Sequence, residues 1–172
     1  MPQFWLLKCE PNAYSIHDLV RDGRTKWEGI RNYQVRNFLR DTMEVGDLGV
    51  FYHSNAAPSG AAGIVRISQS RLADPSQFEA SAAGFDPKSN RAQPTWLMCE
   101  VEFVECFAQV VALETLRAER GLAEMQILRR GNRLSITPLT EAEFDIIGRL
   151  GRSFTEAGER GIPAERGQRT RG

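Results

Sequence analysis

The chain has 172 residues, 41% of them hydrophobic, and its 22 lysines and arginines equal its 22 aspartates and glutamates. That length suits one domain with a well-buried core, since roughly two-thirds of the unfolded surface is hidden at this size. Net charge gives no sign of a nucleic-acid partner. Cys9, Cys99 and Cys106 form no CxxC pair and argue against a secreted disulfide framework, while no apolar run approaches a membrane span.

Phe4 to Lys8 reads as a strand stopped by Pro11. No basic leader precedes it, so a soluble, unprocessed protein is expected; the odd cysteine count points to the reducing cytoplasm, and a monomer with no membrane contact is expected. Ser15 is placed to cap a short helix from Ile16 towards Arg21. A turn-rich stretch with Gly23 and Gly29 then carries Trp27, and the reading places this ring in a charged loop outside the core. From about Asn32 to Asp41 the pattern is helical, with Val35, Phe38 and Leu39 on one face and Tyr33, Arg36, Asn37 and Arg40 on the other.

Gly46-Asp47 turns into a strand from Leu48 to His53, and Pro58-Ser59-Gly60 leads to a second strand over roughly Gly63 to Ser70, which predicts a hairpin. From Asp74 to Pro94 an Ala, Ser, Asp, Pro and Gly-rich excursion leaves room for one helical turn near Ser76 to Glu79. Loops of that length in compact domains are often functional. A strand from Thr95 to Phe107 follows, with Leu97, Cys99, Val101 and Phe103 inward and Glu100 and Glu102 outward. Short helices are expected over Val111 to Glu119 and Leu122 to Leu128, a short strand over Arg133 to Ile136, and a last helix over Thr140 to Leu150 with Thr140 and Glu143 as its capping box. The domain is taken as residues 1–150. Residues 151–172, rich in glycine and charge, read as a disordered tail.

Charge is polarised along the chain. Between Arg21 and Arg40 there are six basic residues against Asp22 and Glu28, and Arg129, Arg130 and Arg133 form a second basic knot. Solvated element faces account for either cluster equally well. The two histidines, His17 and His53, offer little to catalysis: Ser54 follows His53, but no Gly-x-Ser-x-Gly elbow surrounds the pair. The spacing provides no metal site and no phosphate loop, so neither metal nor cofactor is expected. Binding remains. Trp5, Trp27, Tyr33, Tyr52 and Trp96 are rings on which a base could stack, each stack being worth about 1–3 kcal/mol. Trp27 stands out because it lies outside any apolar pattern.

Several blocks, read in order, resemble the signature of EVE-domain proteins. They are Trp5-Leu6-Leu7-Lys8-Cys9-Glu10-Pro11, Tyr14-Ser15-Ile16, the run from Trp27 to Asn37 (WEGIRNYQVRN), Gly46-Asp47, Phe51-Tyr52-His53-Ser54, Asp86-Pro87-Lys88-Ser89 and Arg133-Leu134-Ser135-Ile136. The resemblance spans about residues 4 to 150. It implies an α+β, PUA-like fold, a mixed sheet curving into a partial barrel with short helices around it. It also implies a pocket for one base, such as methylated or hydroxymethylated cytosine, in DNA or RNA. Carried onto this chain, the pocket would use Lys8, Trp27, Asn32, Tyr33, Tyr52, His53, Ser54, Asp86, Lys88 and Ser89. Arg31, Arg36 and Arg40, with Arg129, Arg130 and Arg133, would meet phosphate. The alternative is a hydrolase of a small nucleoside-like substrate, as in some ASCH relatives. Two departures are Cys9, where the family usually has serine, and Gly84-Phe85, where two tyrosines usually precede the aspartate.

Overall fold

The computed structural model describes residues 2–159, with side chains described to residue 153. Six strands form one mixed sheet: β1 (Phe4–Cys9), β2 (Arg24–Trp27), β3 (Leu48–His53), β4 (Gly60–Ala73), β5 (Leu97–Ala112) and β6 (Ile136–Leu139). Their order across the sheet is β2-β5-β4-β3-β1-β6. The helices are α1 (Ile16–Asp22), α2 (Tyr33–Asp41), α3 (Leu113–Ala118) and α4 (Glu141–Glu159). β1 runs parallel to β3, with Phe4 opposite Leu48 and Cys9 opposite His53, whereas the other pairings are antiparallel.

Strand alternation divides the core between the two faces of the sheet. Trp5, Leu7, Phe51, Val65 and Val101 point one way, to meet Leu19 of α1 and Val35 and Leu39 of α2. Leu6, Val50, Tyr52 and Ile64 point the other way, against Leu116 of α3 and Phe144 and Ile147 of α4. Covered on both sides, β1 and β3 read as continuous apolar runs. One buried carboxylate sets the entry to β3: Asp47 accepts the Trp5 indole N–H at 2.9 Å and the backbone N–H groups of Gln3 at 3.0 Å and Glu44 at 2.9 Å. These bonds replace the water that burial removed.

The caps follow from local sequence. Ser15 accepts from the Asp18 N–H while the Asp18 carboxylate accepts from the Ser15 N–H, a complete capping box for α1. Asn32 caps α2 by accepting from the Val35 N–H. Thr140 and Glu143 form the reciprocal pair at the start of α4.

Other expectations change. The stretch carrying Trp27 is not an open loop: Arg24 to Trp27 pair with Glu102 to Cys99 as edge strand β2. β5 continues to Ala112, which delays α3 to Leu113, and residues 120–128 form two 3-10 turns, Arg120–Leu122 and Gln126–Leu128, rather than one helix. β6 falls at Ile136–Leu139, three residues later than expected, and α4 runs past Leu150 to Glu159. The remainder of the expected tail, residues 160–172, lies outside the described residues.

The sheet does not close into a barrel, and β2 and β6 remain its edges. It does bend. Pairing shifts register between β4 and β5 near Ala61/Gly63, and added Cβ atoms at Gly60 and Gly63 would strike the carbonyl oxygens of Val111 and Glu105. Only glycine permits that approach at the bend.

Candidate functional site

The bend brings the two ends of the sheet to opposite walls of one cavity of about 460 Å³, within the range of about 300–1,000 Å³ usual for small-ligand sites. Lys8 and Cys9 of β1 and Ser135 beside β6 form one wall, and Thr25, Lys26 and Trp27 of β2 form the other. The segment Glu28 to Arg31 and the pair Ala13-Tyr14 complete the lining. The cavity therefore fills the gap through which the sheet fails to close.

Trp27 is held in place as a core residue. It is 7% exposed, and its ring meets Phe51 edge-on with centroids 5.4 Å apart. The next turn is fixed by Asp74, whose side chain is wholly buried. Gly29, at φ 78°, directs its N–H to Asp74 Oδ2 at 2.8 Å. Arg31 then uses all five of its N–H donors: Nε and Nη2 reach Gly84 O, Nη2 also reaches Ser76 Oγ, and Nη1 reaches Ile30 O and Asp74. Burial alone would raise the Asp74 carboxyl pKa. Bonds from Ser76, Gly29 and Arg31 outweigh that effect and hold it below the usual aspartate value.

The cavity is polar as well as aromatic. Lys8 is partly buried, and desolvation pulls its ammonium below the usual lysine value; an entering anion would oppose that shift. The Cys9 thiol is pushed up, first by burial and then by Glu10, and is therefore a neutral lining group. The Tyr14 hydroxyl donates to Asp22 at 2.9 Å, and burial, then that bond, raises its pKa. Lys26 and Glu28 are exposed.

Of the residues singled out in the sequence, Lys8, Trp27 and Arg31 line this cavity. The others lie elsewhere. Asn32 serves α2 as its cap, and Tyr33 stands outside the cavity, 59% exposed and 4.8 Å from the Trp96 ring. Tyr52 belongs to the opposite core. His53 is buried, and its Nε2 accepts the Ile16 N–H at 3.1 Å. The Ser54 N–H donates to Cys9 O, tying the ends of β3 and β1 together. Asp86 accepts from the Trp96 indole N–H at 2.8 Å and from the Lys88 N–H at 2.9 Å. Ser89 donates to Gln77 and accepts from the Thr95 N–H.

The long excursion thus braces Trp96 and, through Gly84, Arg31. Arg36 donates to Asn37 and to Thr95 O, and Arg40 pairs with Asp41 at 2.7 Å. Arg129 lies 3.9 Å from Glu124, and Arg130 and Arg133 are exposed. Reading the sequence missed Tyr14, Thr25, Lys26 and Ser135 as lining residues. The available signal was that Thr25 and Trp27, two apart on a strand, share a face.

An open mixed sheet with helices on both faces and a cavity lined from both ends of its strand order defines an α+β domain of distinct architecture. The chain belongs to the EVE domain family, whose domain model matches residues 3–150. Human thymocyte nuclear protein 1 is 37% identical over 161 residues, covering 83% of this chain and 71% of the human protein. A structure of a protein from Leishmania major superposes with a TM-score of 0.83 at 34% identity, covering 90% of this chain and 98% of that one. Human THYN1 protein, solved in complex with 5-methylcytosine containing DNA, superposes with a TM-score of 0.76 at 35% identity, covering 94% of this chain and 99% of that one.

Proposed function

We propose that this EVE domain binds DNA and holds one modified base, a methylated or hydroxymethylated cytosine, in the cavity beside Trp27. The observation that carries the reading is the cavity itself, walled by a rigid tryptophan and bordered by Lys8 and Lys26. The DNA complex of a relative 35% identical to this chain supports the choice of ligand.

Trp27, backed by Phe51, provides the aromatic wall, and the hydroxyls of Thr25 and Ser135 are the nearby partners for a base edge. Lys8 and Lys26 meet the phosphate. Arg31, its donors fully engaged, contributes by shaping the wall. A base enters such a cavity only by leaving its stack, which costs a few kcal/mol and is offset by the contacts it gains. What favours binding over turnover is His53, whose Nε2 is already occupied by the Ile16 N–H.

A duplex with 2-aminopurine next to a central 5-methylcytosine tests the flipped base directly. Wild-type protein should bind it and brighten the probe as the neighbouring base unstacks. Binding without any change in 2-aminopurine fluorescence would show that the base stays in the helix and would overturn the cavity as its site.

A further inference from the structure

Beyond the cavity, a chain of side chains leads from its rim to the exposed end of α2. Arg31 Cζ lies 5.5 Å from the Trp96 ring centroid, Trp96 is 4.8 Å from Tyr33, and Arg36 Cζ is 5.1 Å from the Tyr33 centroid. Past Tyr33 the surface dips into a groove of about 320 Å³ lined by Arg36, Arg40 and the segment Gln93 to Thr95. One exposed ring is ordinary on a protein surface. Three features set this one apart: it is anchored, it is charged on one side, and it is continuous with the cavity.

The anchoring is firm. Trp96 is 5% exposed and fixed by Asp86 through its indole N–H, and it supports Tyr33 at a tilt of 41°. Arg36 is held beside the ring by its bond to Thr95 O at 3.2 Å. Tyr33 still leaves 59% of its surface in solvent. Among the described residues Arg36 has no carboxylate within 4.0 Å, whereas Arg40 shares its charge with Asp41. Arg36 lies over the Tyr33 ring, so the patch presents an exposed ring together with its overlying cation, the two groups that single-stranded nucleic acid uses for base and phosphate.

We infer that Tyr33 is an external stacking shelf for the nucleotide next to the one in the cavity. That nucleotide is unpaired, and its phosphate is drawn towards Arg36 and the groove beyond. The inference rests on the proposed nucleic-acid function and adds a second subsite to it. Recognition there is by stacking, so the subsite accepts any base and reads none.

The test compares fluorescence anisotropy of wild-type, Tyr33→Ala and Tyr33→Leu proteins on two single-stranded oligonucleotides. Both carry 5-methylcytosine; one has ordinary neighbouring nucleotides and the other has abasic sites on both sides. Tyr33→Ala and Tyr33→Leu should each weaken binding to the first by about fivefold or more, the low end of one base stack, and leave binding to the second unchanged. Tyr33→Leu retains an apolar contact for Trp96, so agreement between the two variants excludes a folding effect. Equal affinity of wild-type and variant proteins for the first oligonucleotide, or an equal loss on both, overturns the shelf while leaving the cavity intact. If wild-type protein bound neither oligonucleotide, the shelf would fall, and the 2-aminopurine duplex would decide separately whether the nucleic-acid reading falls with it.

Discussion

Arg31 and Asp74 form an ion pair at 3.0 Å in which the carboxylate side chain is wholly buried and the guanidinium only partly exposed. The pair joins the turn after β2 to the end of β4, which fixes one wall of the cavity. Breaking a buried pair by removing one partner is costly because the other charge is left uncompensated. Arg31→Ala should therefore lower unfolding stability by about 3 kcal/mol or more, and Asp74→Asn in the same chain should recover part of the loss. Urea denaturation of the two variants measures both.

The same carboxylate predicts acid sensitivity. The folded-state pKa of Asp74 lies below its ordinary value of 3.8, so the unfolded chain takes up the proton first as pH falls. Its contribution to stability is complete above the unfolded value and is lost as pH drops through the folded one. A variant lacking this carboxylate should show a flatter stability curve below pH 3.8.

His53 predicts a second, separate pH window. Burial, with the charge of His17, holds it below the ordinary histidine value of 6.5, and its bond from the Ile16 N–H requires a neutral Nε2. The unfolded chain binds this proton more readily, so stability should decline as pH falls from about 6.5 towards the folded pKa of His53 and level off below it. Thermal melts of His53→Gln across that range should lack the decline. A wild-type melting temperature that stays constant there would contradict the assignment.

Trp27 must be tested differently from a loop residue. Packed on Phe51 and almost fully buried, it should cost about 3–5 kcal/mol as Trp27→Ala, and that variant would report on folding. Trp27→Phe keeps an aromatic wall of smaller area. It should remain folded by circular dichroism and still lose affinity for DNA containing 5-methylcytosine.

Lys8 and Lys26 are expected to act on phosphate alone. Lys8→Gln and Lys26→Gln should weaken modified and unmodified DNA by similar factors, each reducing the salt slope by about 0.9 for one lost duplex phosphate contact. Preference between the two DNAs should persist, because phosphate contacts carry no base information. A change in preference would move the lysine to the base edge.

Where local chemistry dictates structure, the sequence was sufficient. Ser15, and Thr140 with Glu143, each announced a helix start, periodicity from about Asn32 marked α2, and apolar runs marked β1 and β3, while the Asp18 half of the first capping box and the Asn32 cap were seen only in the structure. β2 was hard to read because it is only four residues long, Arg24 to Trp27, with Gly23 before it and Gly29 soon after; the alternation of Thr25 and Trp27 is too short to mark a strand without its pairing to Cys99 to Glu102. Missing β2 also placed Trp27 in a loop. The site was harder still. Lys8, Thr25 and Ser135 share a cavity only because the sheet bends at Gly60 and Gly63, a long-range consequence that no local pattern records. Resemblance to a family supplied the fold and the cavity's aromatic residue. It did not show that Arg31 is fully engaged inside the protein or that Tyr33 stands outside the cavity.

The central claim is that the cavity distinguishes a modified cytosine, and affinity for two oligonucleotides that differ by one methyl group tests it most directly. Burying that methyl against Trp27 is worth about 0.8 kcal/mol, so wild-type protein should bind the 5-methylcytosine strand about fourfold more tightly, and Trp27→Phe should narrow the gap. Equal affinity of wild-type protein for the two strands would contradict the account.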